Sequence, residues 1–145
     1  MIETRIYISD LSWSSEGDFI IKNGDIADTS KKVGWGFQQE VEDRIKSSYG
    51  DWKLYRTKGA GISNYEGEIN NEETWERISG SIDFALSGDG FLDKGEYSIQ
   101  IAPLSNTSIG IRIDFDTSLT EAFPDSTITV KVAYDLTGEK PYIIR

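Results

Sequence analysis

Apolar and polar residues alternate or recur with a regular period over most of this chain. Ile2, Thr4, Ile6 and Ile8 fall on one side of the opening segment, with Glu3, Arg5, Tyr7 and Ser9 on the other. A period of two over eight residues predicts a half-buried strand. A Ser- and Asp-rich loop follows at 10–18, with Leu11 and Trp13 as its apolar anchors. Asn23-Gly24 then separates two short apolar stretches, FII and DIA. That dipeptide suits the two positive-φ positions of a type I′ turn and predicts a tight hairpin over 19–27.

The period then changes. Val33, Phe37, Val41 and Ile45 recur every four residues, which predicts a helix with one apolar stripe. Asp28, Thr29 or Ser30 could cap it. Gly34 and Gly36 weaken its first turn, so the firm helix is placed at 35–48, ending at Gly50. Residues 50–69 hold four glycines and read as a loop with a short extended piece at 52–56. A second helix carries Trp75, Ile78, Ile82, Ala85 and Leu86 on one stripe, with Asn70 or Asn71 as cap and Gly88 and Gly90 as stop. Glu73 stands three residues after Asn70, at capping-box spacing.

Alternation returns in Tyr97, Ile99 and Ile101, up to Pro103. It continues in Ile109, Ile111, Ile113 and Phe115, and again in Ile128, Val130, Val132, Tyr134 and Leu136. Three such strands joined by turns make an antiparallel meander. The expected fold is α+β: an N-terminal strand and hairpin, then two helices packed on a three-stranded meander, in one domain over 1–145. Residues 1–9 and 139–145 could serve as extended arms. The tail YIIR follows Gly138 and Pro141 with no evident partner.

Composition removes whole classes of chemistry. The chain has 145 residues, with no Cys and no His. Disulfides, thiolate nucleophiles, Ser-His-Asp triads and imidazole proton transfer are therefore excluded. Fifteen basic against 25 acidic residues give a net charge of −10, which makes nucleic acid an unfavourable partner. No apolar run approaches a membrane span, and MIETRIYISD lacks the apolar stretch of a secretory signal, so a soluble chain not exported by that route is expected.

Carboxylates are the chemistry that remains. Glu40/Glu42/Asp43, Glu66/Glu68, Glu72/Glu73 and Asp114/Asp116 are the pairs a glycan hydrolase could use. Each also has a structural explanation: a solvated helix face, or acids favoured in a first helical turn. Asp114-Phe-Asp116-Thr-Ser118 places oxygen ligands alternately, as a calcium loop does, but lacks the glycine at its sixth position and has Asp125 at the twelfth. Gly34-Trp35-Gly36, Gly59-Ala60-Gly61 and Gly88-Asp89-Gly90 lack the third glycine of a nucleotide fingerprint. The expectation is no catalytic residue, no metal and no cofactor. A carboxylate hydrolase and a calcium-dependent binding module are the alternatives.

One resemblance spans roughly residues 18–136. A hairpin carries Gly24-Asp25-Ile26, and a helix carries Gln38, Gln39, Arg44 and Ile45. Gly50-Asp51-Trp52 leads to Gly59-Ala60-Gly61. The second helix ends in Ile82, Ala85 and Leu86, a strand runs into Ala102-Pro103, and two alternating strands follow. In order and spacing this resembles the baseplate-wedge, sheath-initiator family of contractile phage tails, which has relatives in type VI secretion and other contractile injection systems. The family's Glu-Pro-Arg docking motif is replaced here by Ala85-Leu86-Ser87-Gly88, so no docking site is carried over there. The resemblance implies a structural protein of the virion, assembled in the host cytoplasm and present in several copies around the tail tube. Its partners would be the sheath protein and other baseplate subunits of wedge and hub. It also implies strand addition, in which arms of the first sheath ring extend the initiator's own strands.

The residues suggest where that joint would lie. Ile128, Val130, Val132 and Tyr134 form the last regular strand, followed by Pro141, Tyr142, Ile143 and Ile144. These are the expected protein interface, with Ile2, Thr4 and Ile6 as second choice, although residues 2–8 could equally pair within the domain. On this reading residues 139–145 add little to the core.

Overall fold

The computed structural model describes residues 11–14, 18–28, 34–48, 51, 53–54, 58–116, 128–138 and 140–144. The strand expected at 2–8, with Ile2, Thr4 and Ile6, lies outside them. Most of the piece at 52–56 does too, and its described residues Lys53 and Leu54 form a bend.

The architecture is α+β. Strands β1 (Ile21–Lys22) and β2 (Asp25–Ile26) form the hairpin, with Ile21 opposite Ile26. Asn23 at φ 52° and Gly24 at φ 78° occupy its turn, as the type I′ geometry requires. Helix α1 (Trp35–Lys46) starts from Gly34, whose φ of 84° is left-handed, and has no side-chain cap. Asp28 therefore does not cap this helix; it bridges Leu11 instead. Arg44 and Lys46 lie in the last turn of α1, where cations favour the helix dipole.

Helix α2 (Glu72–Ser87) is capped by Asn71, whose side chain accepts from the Thr74 N–H at 3.0 Å. Asn70 is not the cap. Its Oδ1 accepts from Trp75 Nε1 at 2.7 Å and its Nδ2 donates to the Ser105 carbonyl at 2.8 Å, pinning the helix start to the sheet.

The sheet has four strands, not three. β3 (Tyr97–Pro103), β4 (Ser108–Phe115), β5 (Ile128–Asp135) and β6 (Tyr142–Ile144) pair antiparallel in chain order. Ile101 faces Ile111, Ile111 faces Val132, and Val132 faces Ile143. The tail thus pairs with β5 of its own chain.

Both helices lie on one side of the sheet. Phe37, Val41 and Ile45 of α1 and Ile78, Ile82 and Leu86 of α2 are each fully buried. They meet the inward row of β4 (Ile109, Ile111, Ile113, Phe115) and of β5 (Ile128, Val130, Val132, Tyr134). Phe37 packs edge-on against Phe115 with ring centres 5.1 Å apart. Burial of this apolar surface is the main force holding the layers, at about 1.5–3 kcal/mol for each fully buried large side chain.

Two polar groups tie the helices to their surroundings. Arg44 donates from Nη1 to the Ala85 carbonyl and to Asp89 Oδ2, both at 2.9 Å, and lies 4.1 Å over the Phe91 ring. Gln39, 2% exposed, accepts from the Trp13 N–H at 2.9 Å and donates to the Leu11 carbonyl at 2.7 Å. Its amide completes backbone pairing that no strand supplies. Gln39→Ala leaves a donor and an acceptor without their partner, and is expected to cost about 1–3 kcal/mol in urea unfolding. A loss below about 0.5 kcal/mol would show that water replaces the amide.

Candidate interaction surface

The sequence places the interface on the last strands, and the structure puts those residues in two different settings. Ile128, Val130, Val132 and Tyr134 point inward and are at most 8% exposed. Their strand pairs with β4 along its whole length and with β6 over Lys131–Ala133, so the middle of its second edge is covered. The Tyr134 phenol is buried and finds no hydrogen-bond partner among the described residues. Its pKa is raised by burial first, then by the Glu66 and Asp135 charges. Pro141 leads into β6, where Tyr142 and Ile144 face outward and Ile143 is 1% exposed. The tail is therefore part of the core, which corrects the expectation that it adds little.

The sheet has two outer edges, β6 and β3. β6 is three residues long and follows Lys140 and Pro141, a combination that discourages pairing. β3 is seven residues long and pairs with β4 alone. Tyr97, Ile99 and Ile101 turn toward α2 and stay half-buried, while Ser98, Gln100 and Ala102 are exposed. Among the described residues no chain segment pairs with the far side of β3.

A groove runs between that edge and α2. It encloses about 330 Å³ and is lined by Trp75, Ile99 and Ile101 with Glu72, Glu76 and Ser79. Trp75 is fixed through its Nε1–H to Asn70, so the indole forms a rigid wall. Two residues before Ile99 on the same face of β3, Tyr97 donates its hydroxyl to the Asp83 carboxylate; Lys94 Nζ lies 3.2 Å from the other oxygen of that carboxylate. Burial, followed by the hydrogen bond to Asp83, pushes the Tyr97 phenol up to about 12. A strand added along β3 would gain main-chain hydrogen bonds and could place alternate side chains in the groove. The acids on its rim favour a segment carrying Lys or Arg. The alternation of Tyr97, Ile99 and Ile101 marked this strand in the sequence. Its position at the edge could not be read there, because it depends on what pairs beside it.

The carboxylate candidates do not converge. Glu40 Oε1 lies 3.0 Å from Arg44 Nε and 2.9 Å from Lys58 Nζ. Glu72 and Glu73 occupy the first turn of α2. Glu68 pairs with Arg77 at 3.1 Å. Asp114 accepts from Thr129 Oγ1 at 2.6 Å and from Arg112 Nε at 3.0 Å. The Thr129 bond first, and Arg112 with it, hold its carboxyl below the usual range. The calcium-loop positions after Asp116 lie outside the described residues. Among the described residues no three acidic side chains gather as a metal site, and no helix is long and apolar enough to cross a membrane.

The remaining loop aromatics are local braces. Trp13 stacks on Phe19 at 4.3 Å, and Lys22 Nζ lies 5.7 Å over the Trp35 ring. Trp52 lies outside the described residues. Compared with known proteins, the chain matches no family model, no curated protein and no solved structure.

Proposed function

We propose that this chain is a structural subunit of a contractile tail baseplate that acts as a sheath initiator, and that it accepts an extended arm of the first sheath ring along β3. The observation that carries the reading is the seven-residue edge of β3, open beside a groove walled by Trp75, Ile99 and Ile101 and edged by Glu72, Glu76 and Ser79. The order of sequence features shared with the baseplate-wedge family supports it independently. On this reading the protein works by binding and not by catalysis, needs no cofactor, and resides in the tail baseplate after assembly in the host cytoplasm. Its partners are the sheath protein and neighbouring baseplate subunits, and it occurs in several copies. The joint lies on β3 instead of the C-terminal strands, since β6 covers the middle of β5 over Lys131–Ala133 and itself offers an edge of only three residues.

The test uses the full chain with the sheath and baseplate proteins encoded beside it. Purified chain is expected to seed sheath polymerisation, followed by light scattering and electron microscopy. Ile101→Asp puts a charge into the groove and should abolish seeding while circular dichroism and unfolding still report a folded domain. Seeding at the normal rate by the folded variant would remove β3 as the joint. Absence of the chain from purified tails would remove the baseplate reading itself.

A further inference from the structure

Asn23-Gly24 is the only Asn-Gly pair in the chain, and the hairpin presents it at an exposed tip. An asparagine followed by glycine carries a latent reaction. The side-chain carboxamide is an electrophile, and the backbone nitrogen of the next residue is a nucleophile on the same short tether, so attack is intramolecular. A side chain on that next residue crowds the approach, and glycine has none. The space at Gly24 is open on the protein's side too: a Cβ built there would meet nothing within 4 Å. Neither the Asn23 carboxamide nor the Gly24 N–H makes a hydrogen bond among the described residues.

A second pair capable of the same ring closure, Asp89-Gly90, sits in the opposite environment. Asp89 Oδ2 accepts from Arg44 Nη1 at 2.9 Å, and its Oδ1 accepts from the Phe91 N–H at 3.1 Å. The Gly90 N–H donates to the Ser87 carbonyl at 3.1 Å. Electrophile and nucleophile are both tied there. The other four asparagines, Asn64, Asn70, Asn71 and Asn106, precede Tyr, Asn, Glu and Thr, whose side chains crowd the attacking nitrogen. Ring closure at Asn23 requires the tip to leave the type I′ conformation. Because β1 and β2 are two residues each, that opening is local and costs little.

We propose that Asn23 is a site of spontaneous deamidation that loosens the hairpin as the protein ages. The Gly24 nitrogen bonds to Asn23 Cγ, the Cγ–Nδ2 bond breaks, and the Gly24 proton leaves with the amide group as ammonia. Water then opens the cyclic imide at one of its two carbonyls. Cleavage of the new bond to Cγ restores the ordinary backbone and leaves an aspartyl side chain, which adds one negative charge and still accepts positive φ. Cleavage of the original peptide bond gives an isoaspartyl link, which runs the main chain through Cβ and Cγ. The extra backbone carbon does not fit a two-residue turn, so the Lys22–Asp25 and Ile21–Ile26 register is lost. What depends on that register loosens with it: the Ala27 N–H bond to the Ile20 carbonyl at 2.7 Å, the Ser12 N–H bond to the Ala27 carbonyl at 2.8 Å, and Lys22 over the Trp35 ring. The four-stranded sheet keeps its packing. None of this depends on whether β3 receives a sheath arm.

The full chain, aged in mildly alkaline buffer and mapped by peptide mass spectrometry, tests it. The peptide carrying Asn23 should exchange –NH2 for –OH at least about tenfold faster than the peptides of the other asparagines. It should also become a substrate for an isoaspartate-specific methyltransferase. The rate should rise with pH, because the attacking nitrogen must lose its proton. Asn23→Gly removes the electrophile and keeps a pair that suits the turn, so methylation should vanish. Amide exchange over 11–28 should quicken in the isoaspartyl form and not in aged Asn23→Gly. A rate at Asn23 less than about tenfold above the others overturns the proposal. So does a folded chain reacting more than about a hundredfold slower than the same chain in guanidinium chloride, which would show that the hairpin locks the pair. Methylation that persists in Asn23→Gly would place the reaction at Asp89-Gly90 and overturn it as well. Unchanged exchange in the isoaspartyl form overturns the loosening.

Discussion

Deletion of residues 140–145 is expected to destabilise the domain by about 3–5 kcal/mol, a large share of the about 5–15 kcal/mol typical of a domain. Ile143 is 1% exposed and faces Val132 across the β5–β6 ladder. Its loss uncovers apolar surface and turns β5 into an unpaired edge. Urea unfolding with a fixed slope measures the loss, and Ile143→Ala alone should account for about 2–4 kcal/mol of it. The two variants separate packing from pairing: the difference between them is the contribution of the ladder. A truncated chain as stable as the full one would mean that β6 is only loosely associated. The deletion would also leave a long edge beside Val132 and Tyr134, so self-association of the truncated chain should rise.

Gly59→Ala is expected to cost about 3–5 kcal/mol, from a disfavoured backbone conformation and a direct clash. Gly59 has φ +130°, and a Cβ there would lie 2.7 Å from the carbonyl carbon and oxygen of Ser47. Both obstacles are backbone, so no rotamer change relieves them. The loop cannot simply move away, because the Ala60 N–H donates to the Arg44 carbonyl at 2.8 Å and the Gly61 N–H to the Ser47 carbonyl at 2.9 Å. These bonds satisfy carbonyls at the end of α1 that have no partner within the helix. Gly67→Ala, at φ +82° with nothing within 4 Å, is the matched control and should cost about 1–2 kcal/mol. Equal losses at the two sites would show that the backbone angle, and not the close approach to Ser47, dominates.

Long periodic segments were legible in the sequence. Phe37, Val41, Ile45, Ile78, Ile82 and Leu86 were placed on inward stripes by spacing alone, and each is fully buried. The hairpin at Asn23-Gly24 was equally plain, because few dipeptides accept two positive φ values in succession. β6 was not legible. Three residues give one inward side chain, which is no period, and the preceding Pro141 suggested an end instead of a strand. Asn70 and Asn71 were not separable as caps, since both have the right side chain and only geometry assigns one to the helix and the other to Trp75. Gln39 stood among the polar positions of α1, and its burial depends on the neighbouring segment 11–13. For the interaction surface, β3, β4 and β5 are legible from their alternation, but which strand lies at an edge depends on the pairing order.

That pairing order has a kinetic consequence. β3, β4, β5 and β6 each pair with the next strand in the chain, so most of the sheet's contacts are close in sequence. Low contact order favours rapid folding, and hairpins of this kind form in microseconds. The contacts that span long stretches belong elsewhere: Arg44 to Ala85 and Asp89, and Gln39 to Leu11 and Trp13. The sheet can therefore assemble before α1 is seated, leaving the slow search to one helix that must find its place between the sheet, α2 and the segment ahead of the hairpin. Until it does, the inward row of β4 and β5 is an exposed apolar surface, and the interval before α1 docks is when the chain is most prone to aggregate.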